Sequence, residues 1–176
     1  KKDPGSVKWG GGSKGSTEHI AASMLASRIG VDPKKVNYVP FRGGGEAVAA
    51  ILGGNVTVGG SGYSEFAEHI AAGKMRAIGV TSEKRLPGIN VPTMKESGFD
   101  VVIGNWRGLY GAAGITPAQR AALTDIITKT FNSPGWKEAM AKNAWTPALL
   151  TGKAFDDFVD ADFANLRGTM HLAGML

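Results

Sequence analysis

A chain of 176 residues is long enough for one ordinary domain, or one and a fraction, with a real core. Its 43% hydrophobic and 20% charged residues argue against disorder, and the absence of cysteine excludes a disulfide scaffold and thiolate metal sites. The net charge of +5 is scattered, without the dense basic stripe and interleaved aromatics that nucleic acid requires.

In chain order, Ser6–Trp9 is a poor strand that leads into the first glycine-rich junction, Gly10–Thr17. Ile20, Met24, Leu25 and Ile29 then recur at helical spacing, and Gly30 suits a left-handed cap. Val36–Phe41 alternates like a strand and runs into a second junction, Arg42–Gly45; Glu46–Leu52 reads as a short helix stopped by Gly53 and Gly54. A brief strand, Val56–Val58, enters a third junction, Gly59–Ser64, followed by a helix over Glu65–Ala72 that Gly73 ends. Met75–Val80 reads as a further strand and Val101–Ala113 as a long extended segment broken by glycines. Three helices close the chain: one opened by the capping box and proline of Thr116–Gln119, one by Ser133 and Pro134, and one after Thr151. Repeated βα units imply an α/β sheet. The closing helices have at most one strand of their own to cover, so part of a second lobe is expected to be missing.

The three junctions carry most of the functional information. In an open α/β sheet such loops lie at the carboxyl ends of the strands, where ligands bind. Glycine lets a ligand approach the backbone, and a helix N-terminus offers unpaired N–H groups and a partial positive charge to carboxylate or phosphate. These loops are rich in donors and lack a catalytic constellation, which favours holding an anion over transforming one. Gly10, Gly12 and Gly15 do spell G-x-G-x-x-G, but the preceding strand is weak and Asp32 is only an approximate acidic partner. The same segment misses a P-loop because Ser16 stands where the lysine belongs. An α/β enzyme domain that binds a nucleotide or phosphate through Gly10–Thr17 is the alternative reading.

His19, His69 and His171 are far apart in sequence and suggest no metal site. His19, within one turn of the first loop, either orients that loop or touches its ligand. Glu46 and Glu65 read as carboxylates favoured by helix N-termini rather than as general bases. Trp9 and Trp106 either wall a pocket or fill an interlobe boundary, while Arg42 and Arg107 are candidates for pairing with substrate carboxylates, with structural pairing slightly preferred.

Several stretches together resemble the substrate-binding receptors of tripartite tricarboxylate transporters, the Bug-type periplasmic binding proteins. They are WGGGSKGSTEHI (Trp9–Ile20), VNYVPFRGGGEAVAAILGG (Val36–Gly54), the run from Ser61 to Gly88, VPTMKESGFDVV (Val91–Val102), NWRGLYGAAGIT (Asn105–Thr116), and the closing Trp145 and TPALLTGKAFDDFV. The resemblance implies a two-lobed α/β receptor in the bacterial periplasm, non-enzymatic and without cofactor. It would close by hinge motion on a di- or tricarboxylate, citrate first among candidates, and deliver it to membrane permease subunits. Carried onto this sequence it implies ligand-binding positions at Ser13, Gly15, Ser16 and Thr17, at Gly43 and Gly44, and at Ser61; His19 and Phe41 join them as neighbours of the loops. It also implies a complete lobe over residues 8–104 and the C-terminal remainder of the other lobe over 105–176. The N-terminal part of that second lobe, with its signal sequence, is expected to be absent from this chain. Helices left without their sheet would expose apolar stripes able to drive dimerisation.

Overall fold

The computed structural model describes residues 2–176. They form two compact units, one comprising the chain up to Asn105 together with Phe163–Leu176, the other Trp106–Asp162.

The first unit is built on a parallel sheet with strand order β2-β1-β3. Strand β1 (Lys8–Gly11) leads to helix α1 (Thr17–Arg28), β2 (Asn37–Pro40) to α2 (Gly44–Leu52), and β3 (Val58–Gly59) to α3 (Tyr63–Ala71). Lys8 is in register with Asn37 and Gly11 with Pro40 on one side of β1; Trp9 pairs with Val58 and Gly10 with Gly59 on the other. The first connection therefore leaves β1 in one direction and the second returns past it in the other. Right-handed crossovers then put α1 and α2 on opposite faces of the sheet.

Helix ends follow from local chemistry. After α1, Gly30 adopts φ +75°, a conformation that costs glycine little. The Val31 N–H then reaches the Ala26 carbonyl at 2.9 Å and the Gly30 N–H reaches that of Ser27 at 3.1 Å, which satisfies carbonyls the helix leaves open. The turns at Gly54 and Gly73 repeat this pattern after α2 and α3. Ile20, Ala22 and Ala26 of α1, Ala47, Val48 and Ala50 of α2, and Val56 pack the core beside Val91, Val101 and Ile103.

Two expected strands do not form. Met75–Val80 contributes a single bridge, Val80 to Thr93. The segment from Val101 pairs around Ile103, whose N–H donates to the Thr81 carbonyl at 3.0 Å and whose carbonyl accepts from Thr81 Oγ1 at 2.8 Å. Each run is apolar enough for a strand but, among the described residues, joins no ladder. The third strand sits slightly later than expected, at Val58–Gly59.

The second unit contains α4 (Pro117–Asn132), α5 (Pro134–Asn143) and the beginning of α6 (Gly152–Leu172). The start of α4 is the capping box read from the sequence: the Gln119 N–H donates to Thr116 Oγ1 at 3.2 Å, and the Thr116 N–H donates to Gln119 Oε1 at 2.8 Å. Thr116→Ala is expected to lower stability by about 1 kcal/mol, read as a shifted urea midpoint with an unchanged slope. Trp106 packs edge-on against Phe155 and Phe158, and its Nε1–H donates to Asp162 Oδ2 at 2.8 Å. No described residue of this unit is buried, and Leu109, Tyr110, Ile126 and Trp145 are all more than half exposed.

Candidate functional site

The strand order places the three glycine junctions side by side. The first leaves the central strand and is flanked by the second and third at the same edge of the sheet, the arrangement in which α/β sheets open a ligand crevice. Backbone bonds stitch them together: the Phe41 N–H donates to the Gly11 carbonyl and the Gly60 N–H to the Gly10 carbonyl, both at 2.9 Å. Ser13, Gly15, Ser16, Thr17 and His19 lie in the first junction and the opening turn of α1. Phe41, Gly43 and Gly44 lie in the second, and Ser61 in the third.

Within the first junction the Ser16 N–H donates to the Ser13 carbonyl at 2.9 Å and Gly15 takes φ +81°. Ser16 is the N-cap of α1 but its hydroxyl does not cap the helix; it lies 3.2 Å from the Tyr38 hydroxyl. Tyr38 donates to the Gly12 carbonyl at 2.9 Å. His19 is buried, stacks on the Tyr38 ring at 4.2 Å between centroids, and accepts the Gly15 N–H at Nδ1 over 3.1 Å. The structure thus shows His19 holding the loop. Thr17 Oγ1 donates to Asn105 Oδ1 at 3.4 Å. Burial, reinforced by the Lys14 ammonium, holds the His19 imidazolium pKa below its ordinary value near 6.5. Burial also pushes the Tyr38 phenol up, partly offset by its contact with Ser16 and aided by Glu18, so it remains a donor at neutral pH.

A depressed histidine pKa has a definite consequence for stability. Between the folded value and about 6.5, the unfolded chain binds a proton that the folded chain refuses, so stability rises with pH there. The contribution is complete above about pH 6.5 and is lost as pH falls through the folded value. Melting temperatures measured from pH 7.5 downward are expected to show this loss in the wild type and to lack it in His19→Gln.

In the second junction Gly43 is the extended N-cap of α2, and a side chain there would meet nothing within 4 Å. The Phe41 ring lies against Gly10. Glu46 accepts the Arg42 N–H at 3.0 Å, a helix-start role for that carboxylate. In the third, the Ser61 hydroxyl donates to Glu65, whose carboxylate also occupies the space a Cβ on Gly44 would fill. Glu18 lies over Gly11, Gly12 and Gly60.

Sequence reasoning missed Tyr38 and Glu18. Tyr38 carried only the alternation of its strand, and its partner loop becomes visible only through the β1–β2 register. Glu18 was not singled out, although it stands in the first turn of α1. Among the described residues no cluster of histidines and acids is arranged to hold a metal, and no helix is long and apolar enough to cross a membrane.

A parallel sheet with its glycine junctions gathered at one edge is the framework of an α/β binding protein, and comparison with known proteins carries the assignment further. Residues 1–169 match the TctC model, described as the tripartite tricarboxylate transporter family receptor. The chain belongs to that family of solute-binding receptors, and its fold is α/β and periplasmic-binding-protein-like. Among relatives, Protein BugT of Bordetella pertussis is 28% identical over 176 residues, covering 99% of this chain and 53% of that protein. The crystal structure of a TctC solute-binding protein from Polaromonas, with no ligand, superposes with a TM-score of 0.75 at 31% identity over 94% of this chain and 57% of the other. The structure of R. palustris Rpa4515 with adipate shares the fold, with a TM-score of 0.81 at 20% identity over 98% of this chain and 57% of that one. The chain spans about half the length of the curated relatives it matches.

Proposed function

We propose that this chain is part of a periplasmic receptor that captures a di- or tricarboxylate and passes it to the permease subunits of a tripartite tricarboxylate transporter. The observation that carries this reading is the convergence of three glycine junctions, each opening a helix, at one edge of the parallel sheet. Helix N-termini and close-approach glycines there suit a carboxylate. Adipate, held by the R. palustris neighbour, and citrate are the first ligands to test. Residues 8–104 are read as one complete lobe and 105–176 as part of the other, with solute closing the cleft between the lobes of the whole receptor. Ser13, Gly15, Ser16, Thr17, Gly43, Gly44 and Ser61 are the proposed contacts.

Two acidic side chains already stand at the junctions. A solute carboxylate approaching Gly44 requires the exposed Glu65 side chain to swing aside. Glu65→Gln, which keeps the shape and removes the charge, is therefore expected to raise carboxylate affinity severalfold in calorimetry.

The deciding experiment is titration calorimetry of this chain with adipate and citrate, with NAD and ATP as contrasts. Saturable heat with a carboxylate and none with the nucleotides supports the receptor. Saturation by NAD or ATP without response to carboxylates would replace it with a nucleotide-binding domain. Self-association through the exposed helix faces belongs to the same reading, and a strictly monomeric chain in light scattering would remove it.

A further inference from the structure

We propose that His19 and Tyr38 are a positioning pair that holds the first junction in its solute-ready shape, and that a second proton on His19 releases it. The regulation concerns the site of the preceding reading and, for its effect on binding, rests on it.

The first junction has few anchors of its own. Gly12 and Gly15 lack side chains, Ser13 is exposed, and Gly15 sits at φ +81°, a conformation adopted at little cost and left as easily. Apart from the turn bond from the Ser16 N–H to the Ser13 carbonyl, what fixes the loop comes from outside it. The Tyr38 hydroxyl, from the neighbouring strand, holds the Gly12 carbonyl at 2.9 Å and meets Ser16 Oγ at 3.2 Å. His19, in the first turn of α1, accepts the Gly15 N–H at 3.1 Å. The two rings are stacked at 4.2 Å, which together with the Gly15 bond orients the imidazole. The loop is thereby clamped at Gly12, Gly15 and Ser16, three positions on the path the anion must approach.

The Gly15 bond fixes the chemistry. Nδ1 can accept only while it carries no proton, so the neutral ring bears its hydrogen on Nε2. No bond to Nε2 is made by the described residues that surround it, and His19 lines a cleft of about 490 Å³ with Tyr38, Lys14, Lys34 and Gly174. A second proton must go to Nδ1. It would turn the acceptor into a donor facing another donor, the Gly15 N–H, and the loop must move. The charged and titratable groups around the ring come from each packed element. Lys14 lies on the loop itself, Lys34 across the cleft on the turn before β2, Tyr38 on β2, and Glu18 beside Tyr38 at the start of α1. The Lys14 ammonium opposes the imidazolium, and the Glu18 carboxylate sits beside the phenol.

The test follows the Gly15 amide and His19 ring nitrogens of this chain by NMR from pH 7.5 to 4.5, with adipate titrations of wild type, His19→Gln, His19→Phe and Tyr38→Phe. Expected are the Nε2–H form at neutral pH and a Gly15 amide whose exchange protection falls at least tenfold in step with His19 protonation. Tyr38→Phe should lower that protection at neutral pH. His19→Gln keeps an acceptor that does not titrate. The ratio of wild-type to His19→Gln affinity should therefore fall severalfold over the acid range, the ligand's own protonation being common to both. His19→Phe should bind weakly throughout.

An Nδ1–H ring at neutral pH, or His19 titration with no response at Gly15, overturns the pair. Identical pH profiles in wild type and His19→Gln overturn the release of binding. Loss of adipate binding in every protein, with Gly15 still coupled to His19, supports the clamp and fells the carboxylate reading instead.

Discussion

Gly43→Asp is expected to reduce carboxylate affinity by a hundredfold or more while the protein folds and melts like wild type. The two halves of that expectation have separate grounds. A side chain at Gly43 meets nothing within 4 Å, and the backbone there is extended, at φ −173°, which any residue adopts. The substitution is therefore accommodated. Its charge, however, stands at the start of α2, beside the proposed path of an anionic solute. At an effective dielectric of about 20 and a separation of about 5 Å, two negative charges repel by about 3 kcal/mol, a hundredfold or more in affinity. Calorimetry with adipate or citrate measures the loss and a thermal melt checks the fold. Wild-type affinity in a well-folded variant would mean that the second junction lies outside the site.

Gly59→Ala is expected to destabilise the first unit by about 1–3 kcal/mol, the usual cost of overpacking. Gly59 lies in β3 beside Gly10 of the central strand, and a Cβ added to it would run into the Cδ1 of Ile51 on α2. Part of the penalty should disappear when Ile51 is shortened as well. In a double-mutant cycle, Gly59→Ala combined with Ile51→Val should lose less than the two single losses added together. Urea unfolding gives all four values. Strict additivity would show that this collision does not set the identity of residue 59.

These two glycines illustrate what a sequence reveals. The junctions were legible because glycine, serine and helix-start residues act locally, and the Thr116 capping box is visible within four residues. The α/β class followed from the alternation of such units. What escaped notice depends on pairing between distant segments. Met75–Val80 has the pattern of a strand, yet sheet formation needs a neighbour along its whole length, and only Val80 finds one at Thr93. The run from Val101 fails likewise outside Ile103. At the site, His19 was left between two roles because its acceptor atom and its partner at Gly15 are matters of geometry. Tyr38 carried no local mark of its link to Gly12. Glu65 read as a helix-start acid, and its intrusion over Gly44 needed the second and third junctions to be adjacent.

The strand order also fixes a timetable. The central strand β1 is made before both of its neighbours, and its partners lie as far along the chain as Val58. Within this sheet β1 pairs only once β2 and β3 are available, and closing such distant contacts is what slows parallel topologies. The first and second junctions come together when β2 pairs with β1, and the third joins only when β3 does. A truncation before Val58 should therefore leave Trp9 without its pairing partner on that side of the sheet.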